Sequence, residues 1–331
     1  MSGEIAKPRL GVIGGGAWGT ALAQMLASDG REVLLWAFEP HVVEEINSGH
    51  RNSAYLAGID LNPAIRATGQ LAELADCPLL LVVTPAQHMR RVLVQLPQGA
   101  GDLVLCCKGI EEATGDLMDD AARAAAPGRP LAVLSGPTFA HEVARGQPTA
   151  VTLACETRAQ WDRIAPMVWR PAFRPYFSTD ITGAEIGGAV KNVLAIACGV
   201  VEGLGLGQNA RAALIARGFA EMTRFGLACG AQAETLSGLS GLGDLVLTCS
   251  SVSSRNFSLG KALGEGRAAA DVLADCATVA EGAFTAPVLQ RVSRARGVAM
   301  PIVDTVCALL AGEVAAGDAV AALLARPLTT E

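Results

Sequence analysis

Lysine is scarce in this 331-residue chain: Lys7, Lys108, Lys191 and Lys261 are the only four among 26 basic residues, and arginine supplies the rest. Ala- and Arg-rich codon usage accounts for the bias on a solvated surface, where arginine can replace lysine. A lysine retained inside an apolar or glycine-rich segment therefore has a specific task, and Lys108 and Lys191 are so placed. Positive charge is in deficit overall. The net charge of −6 excludes the backbone attraction on which nucleic-acid binding rests. Uninterrupted apolar runs stop short of the ~18 residues of a membrane span. The first residues lack the basic-then-apolar pattern of a signal peptide, so a soluble, cytoplasmic protein is expected. No C-x-x-C pair occurs among the nine cysteines, and His41, His50, His88 and His141 do not cluster with them. That pattern excludes a zinc site and predicts reduced, buried thiols. No metal is expected, and no repeat or low-complexity segment is present.

With 51% hydrophobic and 18% charged residues, the chain can build large cores, and its length fits two domains. The N-terminal segment sets the character of the first. Arg9-Leu10-Gly11-Val12-Ile13 runs into Gly14-Gly15-Gly16-Ala17-Trp18-Gly19 and then an apolar helical stretch. This is a strand, a G-x-G-x-x-G turn and a helix start. Gly14 permits the tight turn, Gly16 lets backbone approach a pyrophosphate, and Gly19 lets helix pack on strand. The helix start adds free N–H groups and a positive dipole end. A second strand, Val33–Ala37, follows at βαβ distance, which supports a dinucleotide site over a bare structural turn.

Strand-like segments at Leu10–Ile13, Val33–Ala37, Leu79–Val83, Leu103–Cys106, Leu131–Leu134 and Ala150–Ala154 alternate with helical stretches such as Ala17–Ser28, Gly115–Ala126 and Gln160–Val168. Near-continuous apolar strands alternating with helices predict an α/β fold, a Rossmann-type doubly wound, mostly parallel sheet. From Ile186 the pattern is helical only, with Ile186–Val201, Ala210–Cys229 and Pro301–Ala311 broken by glycines. The division expected is 1–182 for dinucleotide binding and 183–331 for an all-helical substrate domain, the boundary falling in Thr179–Glu185.

Chemistry is expected beyond the carboxyl ends of the strands. Four segments qualify. Lys108 follows directly on an apolar strand. Gly136 and Thr138, in Ser135-Gly136-Pro137-Thr138-Phe139-Ala140, can offer donors to an anion from another strand end. Lys191 sits in an apolar helix start, where burial of an ammonium requires a partner or a lowered pKa, and a lowered pKa suits general-base work. Asp244 leads to a serine-rich loop ending in Ser254-Arg255-Asn256 before a new helix, a phosphate-binding arrangement to which Arg255 adds a planar fork. The plainer readings are a snorkelling Lys108, a simple Gly-Pro turn and a structural Lys191.

These segments, in this order and spacing, resemble the bacterial NAD(P)-dependent sn-glycerol-3-phosphate dehydrogenase family over residues 9 to 312. So do Val279-Ala280-Glu281-Gly282 and Asn52-Ser53-Ala54-Tyr55-Leu56-Ala57-Gly58, with Ala57 where the family has Pro. The resemblance implies that Lys191 exchanges the proton at the C2 oxygen, with Asp244 holding it and Lys108 in the catalytic set. It implies that Lys108, Gly136, Thr138, Lys191, Asp244, Ser254, Arg255 and Asn256 contact dihydroxyacetone phosphate or glycerol 3-phosphate. Ala17, Trp18, Phe38, Lys108, Ala140, Arg255, Val279 and Glu281 would join Gly14, Gly16 and Gly19 at the cofactor. Phe38 departs from the His or Arg of many bacterial members. Glu39 stands 20 residues after Gly19, where an acid accepts from a ribose 2′-OH and repels a 2′-phosphate. NAD is therefore the expected cofactor, with NADP also accommodated. The partner expected is a small phosphorylated molecule, with a homodimer left open. The same plan serves ketopantoate reductases and β-hydroxyacid dehydrogenases, which bind a carboxylate. A dinucleotide-sensing module without catalysis is the rival from another class, opposed by the intact Lys108, Lys191 and Asp244.

Overall fold

A computed structural model describes residues 7–99, 101–275 and 280–324. The chain forms two compact units, Met1–Cys107 with Met118–Ile181, and Lys108–Leu117 with Thr182–Glu331. The first holds strands β1 (Leu10–Ile13), β2 (Val33–Trp36), β3 (Ile65–Thr68), β4 (Leu79–Val82), β5 (Asp102–Leu105), β6 (Leu131–Ser135), β7 (Thr149–Cys155) and β8 (Phe173–Ser178). Its helices are α1 (Ala17–Ala27), α2 (Pro40–Gly49), α3 (Ala86–Leu93), α4 (Met118–Ala125), α5 (Ala140–Ala144) and α6 (Arg158–Val168). One sheet runs β3-β2-β1-β4-β5-β6-β7-β8. Every neighbouring pair is parallel except β6–β7, so the expected doubly wound, mostly parallel sheet is present. β1, β2 and β4 are buried along their whole length, as strands covered on both faces must be.

Two strands were absent from the sequence reading, β3 and β8, and they are the two edges of the sheet. Edge strands meet solvent, so β3 exposes Arg66 and β8 exposes Arg174 and Tyr176, and neither Ile65-Arg66-Ala67-Thr68 nor Phe173-Arg174-Pro175-Tyr176 is an apolar run. At each edge some of the outward-facing backbone groups are already engaged. The Asn47 amide donates to the Ala67 carbonyl (2.9 Å) and its oxygen accepts from the Ala67 N–H (2.8 Å), in the manner of a further strand. At the other edge the Thr149 N–H donates to Ala172 O (2.8 Å), which turns residues 172, 174 and 176 toward β7 in this parallel register. Pro175, lacking an N–H, falls in the outward phase, where it removes no ladder bond. Phe173, in the same phase, exchanges both backbone bonds with Arg170.

The second unit is helical: α7 (Ile181–Gly203), α8 (Gly207–Ala228), α9 (Ala233–Leu236), α10 (Asp244–Thr248), α11 (Arg255–Gly264), α12 (Ala269–Asp275), α13 (Glu281–Ala295), α14 (Pro301–Leu310) and α15 (Ala316–Leu324). α7 is apolar on nearly all sides and buried, the pattern of a central core helix. By length and composition it could cross a membrane, although no uninterrupted apolar run suggests this, but its apolar window is wholly buried inside the protein. It begins five residues before the expected Ile186, so Lys191 lies in mid-helix, not at a helix start. Glycines let other backbone press on it. A Cβ on Gly187 would meet Ser240 O at 2.2 Å, and one on Gly199 would meet Phe257 O at 2.0 Å. The first contact seats the π-helical turn Leu239–Gly243 that leads into Asp244, and the second seats α11.

Candidate active site

In the sheet unit, three glycines after β1 hold three distinct environments. Gly14 has φ +128°, and a Cβ there would meet the Val83 backbone at 2.9 Å. A Cβ on Gly19 would meet Gly14 O at 1.9 Å, so the start of α1 packs directly on the turn. At Gly16 a Cβ would meet nothing within 4 Å. Open space at Gly16 and an α1 N-terminus without a side-chain cap leave amides for an external acceptor. Trp18 and Ala140 pack against the same core. At the end of β2, Phe38 is 76% exposed, a flat apolar ring with nothing over it, and Glu39 follows at the start of α2. These residues fit the phosphates, adenine and ribose of a dinucleotide.

Beyond β6 the chain turns at Gly136, where a Cβ would meet Val151 Cα at 2.9 Å. Thr138 donates its hydroxyl to Gly136 O at 3.3 Å, and Ala140 opens α5. β1, β2 and β6 run parallel within the sheet, so the glycine turn, Phe38-Glu39 and Gly136–Ala140 all follow the carboxyl ends of their strands.

In the helical unit the two sequence-selected lysines meet on one carboxylate. Asp244 is fully buried. Its Oδ1 accepts from Lys191 Nζ at 2.6 Å, and its Oδ2 accepts from Lys108 Nζ at 2.6 Å. Lys191 is 6% exposed and also donates to Thr248 Oγ1 at 2.9 Å. An ammonium has three donors. Two are taken here, and the third has no partner among the described residues. Burial, reinforced by the neighbouring Lys108 charge and opposed by Asp244, lowers the Lys191 pKa to about 8. The cluster can hold an oxygen and move a proton on or off it near neutral pH.

Next along the chain, Ser254 caps α11 by accepting from Phe257 N at 3.3 Å, which leaves its own O–H as a donor. Arg255 is exposed and makes no side-chain bond among the described residues. A cation in the first turn of a helix opposes the dipole, so the position is suited to an anion. Asn256 turns inward: its amide donates to Asn192 Oδ1 (3.0 Å) and its oxygen accepts from Gly282 N (2.9 Å). Those bonds tie Lys191-Asn192, the Arg255 turn and Glu281-Gly282 into one neighbourhood. Val279 lies outside the described residues.

Residues 9–161 match the family described as NAD-dependent glycerol-3-phosphate dehydrogenase N-terminus, and residues 180–321 match its C-terminus. The chain belongs to this family. A glycerol-3-phosphate dehydrogenase (NAD(P)+) of Erythrobacter litoralis is 68% identical over 331 residues, covering 100% of this chain and 98% of the relative. One from Novosphingobium aromaticivorans is 68% identical over 323 residues, covering 97% of this chain and 98% of its own. The crystal structure of glycerol-3-phosphate dehydrogenase from Coxiella burnetii is 34% identical, with a TM-score of 0.92 over 97% of this chain and 100% of that one.

Within this dehydrogenase, sequence reasoning missed Thr248, the second partner of Lys191. A signal existed, since Thr248 is four residues after Asp244 and so shares its face of a helix. Glu281, which opens α13, came from the resemblance alone, because in the sequence it reads as an ordinary loop acid.

Proposed function

We propose that the protein catalyses reversible hydride transfer between NAD(P)H and dihydroxyacetone phosphate, giving sn-glycerol 3-phosphate for glycerophospholipid synthesis in the cytoplasm. The observation that carries this reading is the buried Asp244 with two lysines on it. A bound reduced nicotinamide supplies the hydride to C2. Lys191 gives a proton to the C2 oxygen as the carbonyl is reduced and takes it back in the reverse reaction, through the donor that Asp244 and Thr248 leave unused. Asp244 orients both ammonium groups, and Lys108 adds positive charge at the developing alkoxide. Arg255, Ser254, Asn256, Gly136 and Thr138 take the phosphate and hydroxyl oxygens of the substrate. Arg255, Lys108, Ala140, Val279 and Glu281 complete the cofactor site begun by Gly14, Gly16, Ala17, Trp18, Gly19, Phe38 and Glu39.

The test is the rate of NADH and NADPH oxidation with dihydroxyacetone phosphate, run beside a ketoacid. Turnover of the phosphate ester is expected, with NADH used at least as well as NADPH. Turnover of the ketoacid alone would replace this substrate with a carboxylate. A preference for NADPH beyond about tenfold, ~1.4 kcal/mol, would mean that Glu39 does not face the ribose. A homodimer is checked by sedimentation of the purified protein.

A further inference from the structure

The loop Asn52–Gly58, which follows α2, has no part in the chemistry above, yet it bonds both to the glycine turn with the helix behind it and to the acid that follows β2. The buried Asn52 donates its amide to Gly15 O and to Thr20 Oγ1, both at 2.8 Å. Three residues on, Tyr55 donates its hydroxyl to Glu39 Oε1 at 3.1 Å. Its ring packs against the core of the sheet unit, so the hydroxyl has a fixed origin.

Glu39 occupies the residue before α2 and makes no capping bond to that helix. Left alone, a carboxylate there is drawn to the unpaired amides and positive dipole of the first turn. Tyr55 holds it elsewhere. The bond uses one carboxylate oxygen, and Oε2 has no partner among the described residues. Burial, together with the Glu39 charge, raises the pKa of Tyr55. The phenol therefore stays protonated and remains a donor throughout the neutral range.

We propose that Tyr55 is a positioning residue for cofactor selectivity, holding Glu39 so that its free oxygen accepts from an adenosine ribose 2′-OH and its charge repels a 2′-phosphate. This rests on the dinucleotide reading of the glycine turn. It adds to that reading the group that fixes the acid, and it makes the NAD preference a property of a pair. Asn52 places the loop and Tyr55 transmits that placement to Glu39.

Tyr55→Phe keeps the ring and its packing while removing the hydroxyl. Dissociation constants for NADH and NADPH, and for ADP-ribose and its 2′-phosphate, are measured by calorimetry on the full chain. The ratio of the NADPH constant to the NADH constant should fall about fivefold to tenfold, the scale of one net hydrogen bond. The two ADP-ribose probes should follow, which places the effect at the ribose. Glu39→Gln should reduce the same ratio, and adding Tyr55→Phe to it should change the ratio little further. An unchanged ratio in Tyr55→Phe overturns the proposal, as does equal weakening of both cofactors, which would mark a general loosening of the loop. If Glu39→Gln shifts the ratio and Tyr55→Phe does not, the dinucleotide reading stands and Tyr55 is structural. If the unsubstituted protein binds none of the four probes, the dinucleotide reading itself fails.

Discussion

At the scale of single residues, Lys191 carries the sharpest expectations. In the proposed mechanism its pKa, about 8 against an ordinary 10.5, divides the two directions of the reaction. Below that value the ammonium is present and can protonate a carbonyl oxygen. Above it the neutral amine can accept a proton from the alcohol. The kcat for ketone reduction should therefore fall as pH rises through about 8, while that for alcohol oxidation rises through the same range. Lys191→Ala should lower kcat by ~10²–10⁴, the usual worth of a general acid–base, and leave the NADH dissociation constant nearly unchanged. Lys191→Met leaves Asp244 paired with Lys108 and should fold. A Met variant that kept most of its kcat would make the lysine structural. The proposed role of Arg255 is in binding instead. Arg255→Ala should raise KM for the phosphorylated substrate with the fold intact, and Arg255→Lys should restore it only in part, since an ammonium lacks the fork. Unchanged KM in both would mean that Arg255 serves only the solvent.

At the scale of elements, the glycine turn separates folding from binding within three positions. Gly16→Ala adds a methyl where nothing lies within 4 Å. Its melting temperature should match the parent while NADH affinity falls, since in the proposed site that methyl stands where the phosphates bind. Gly19→Ala forces a methyl to 1.9 Å from Gly14 O, and overpacking of backbone costs about 1–3 kcal/mol or more. That variant should lose stability, read as a lower melting temperature, before cofactor is added. Equal behaviour of the two would refute this division of roles. The tight turn at Gly14 and the close packing at Gly19 were legible in the sequence from the spacing alone. The glycines of α7 were not. Gly203 reads as a helix breaker, yet it ends α7 beneath the Lys261 carbonyl, 2.2 Å from its would-be Cβ. Only the partner helix, more than 50 residues away in the chain, explains it.

For the whole molecule, legibility followed burial. The central strands announced themselves as apolar runs, and the lysines stood out because an ammonium among apolar residues is anomalous. What stayed hidden depends on surfaces and on distant pairing. The edge strands β3 and β8 carry mixed residues, Thr248 matters only once Lys191 lies above it, and Asn52 is an ordinary loop polar residue until its amide meets Gly15 O. These edge contacts have a consequence for how the chain is made. The sheet pairs segments far apart in sequence, and such topologies form slowly. On the ribosome the sheet unit emerges before most of its helical companion, so many half-assembled copies share a polysome at high local concentration. An open, ladder-ready edge would let neighbouring nascent chains zip together. Asn47, Pro175 and the Arg170–Phe173 turn leave few consecutive donors and acceptors for a stranger. Together they should limit edge-to-edge pairing during synthesis, before any catalytic residue has a task.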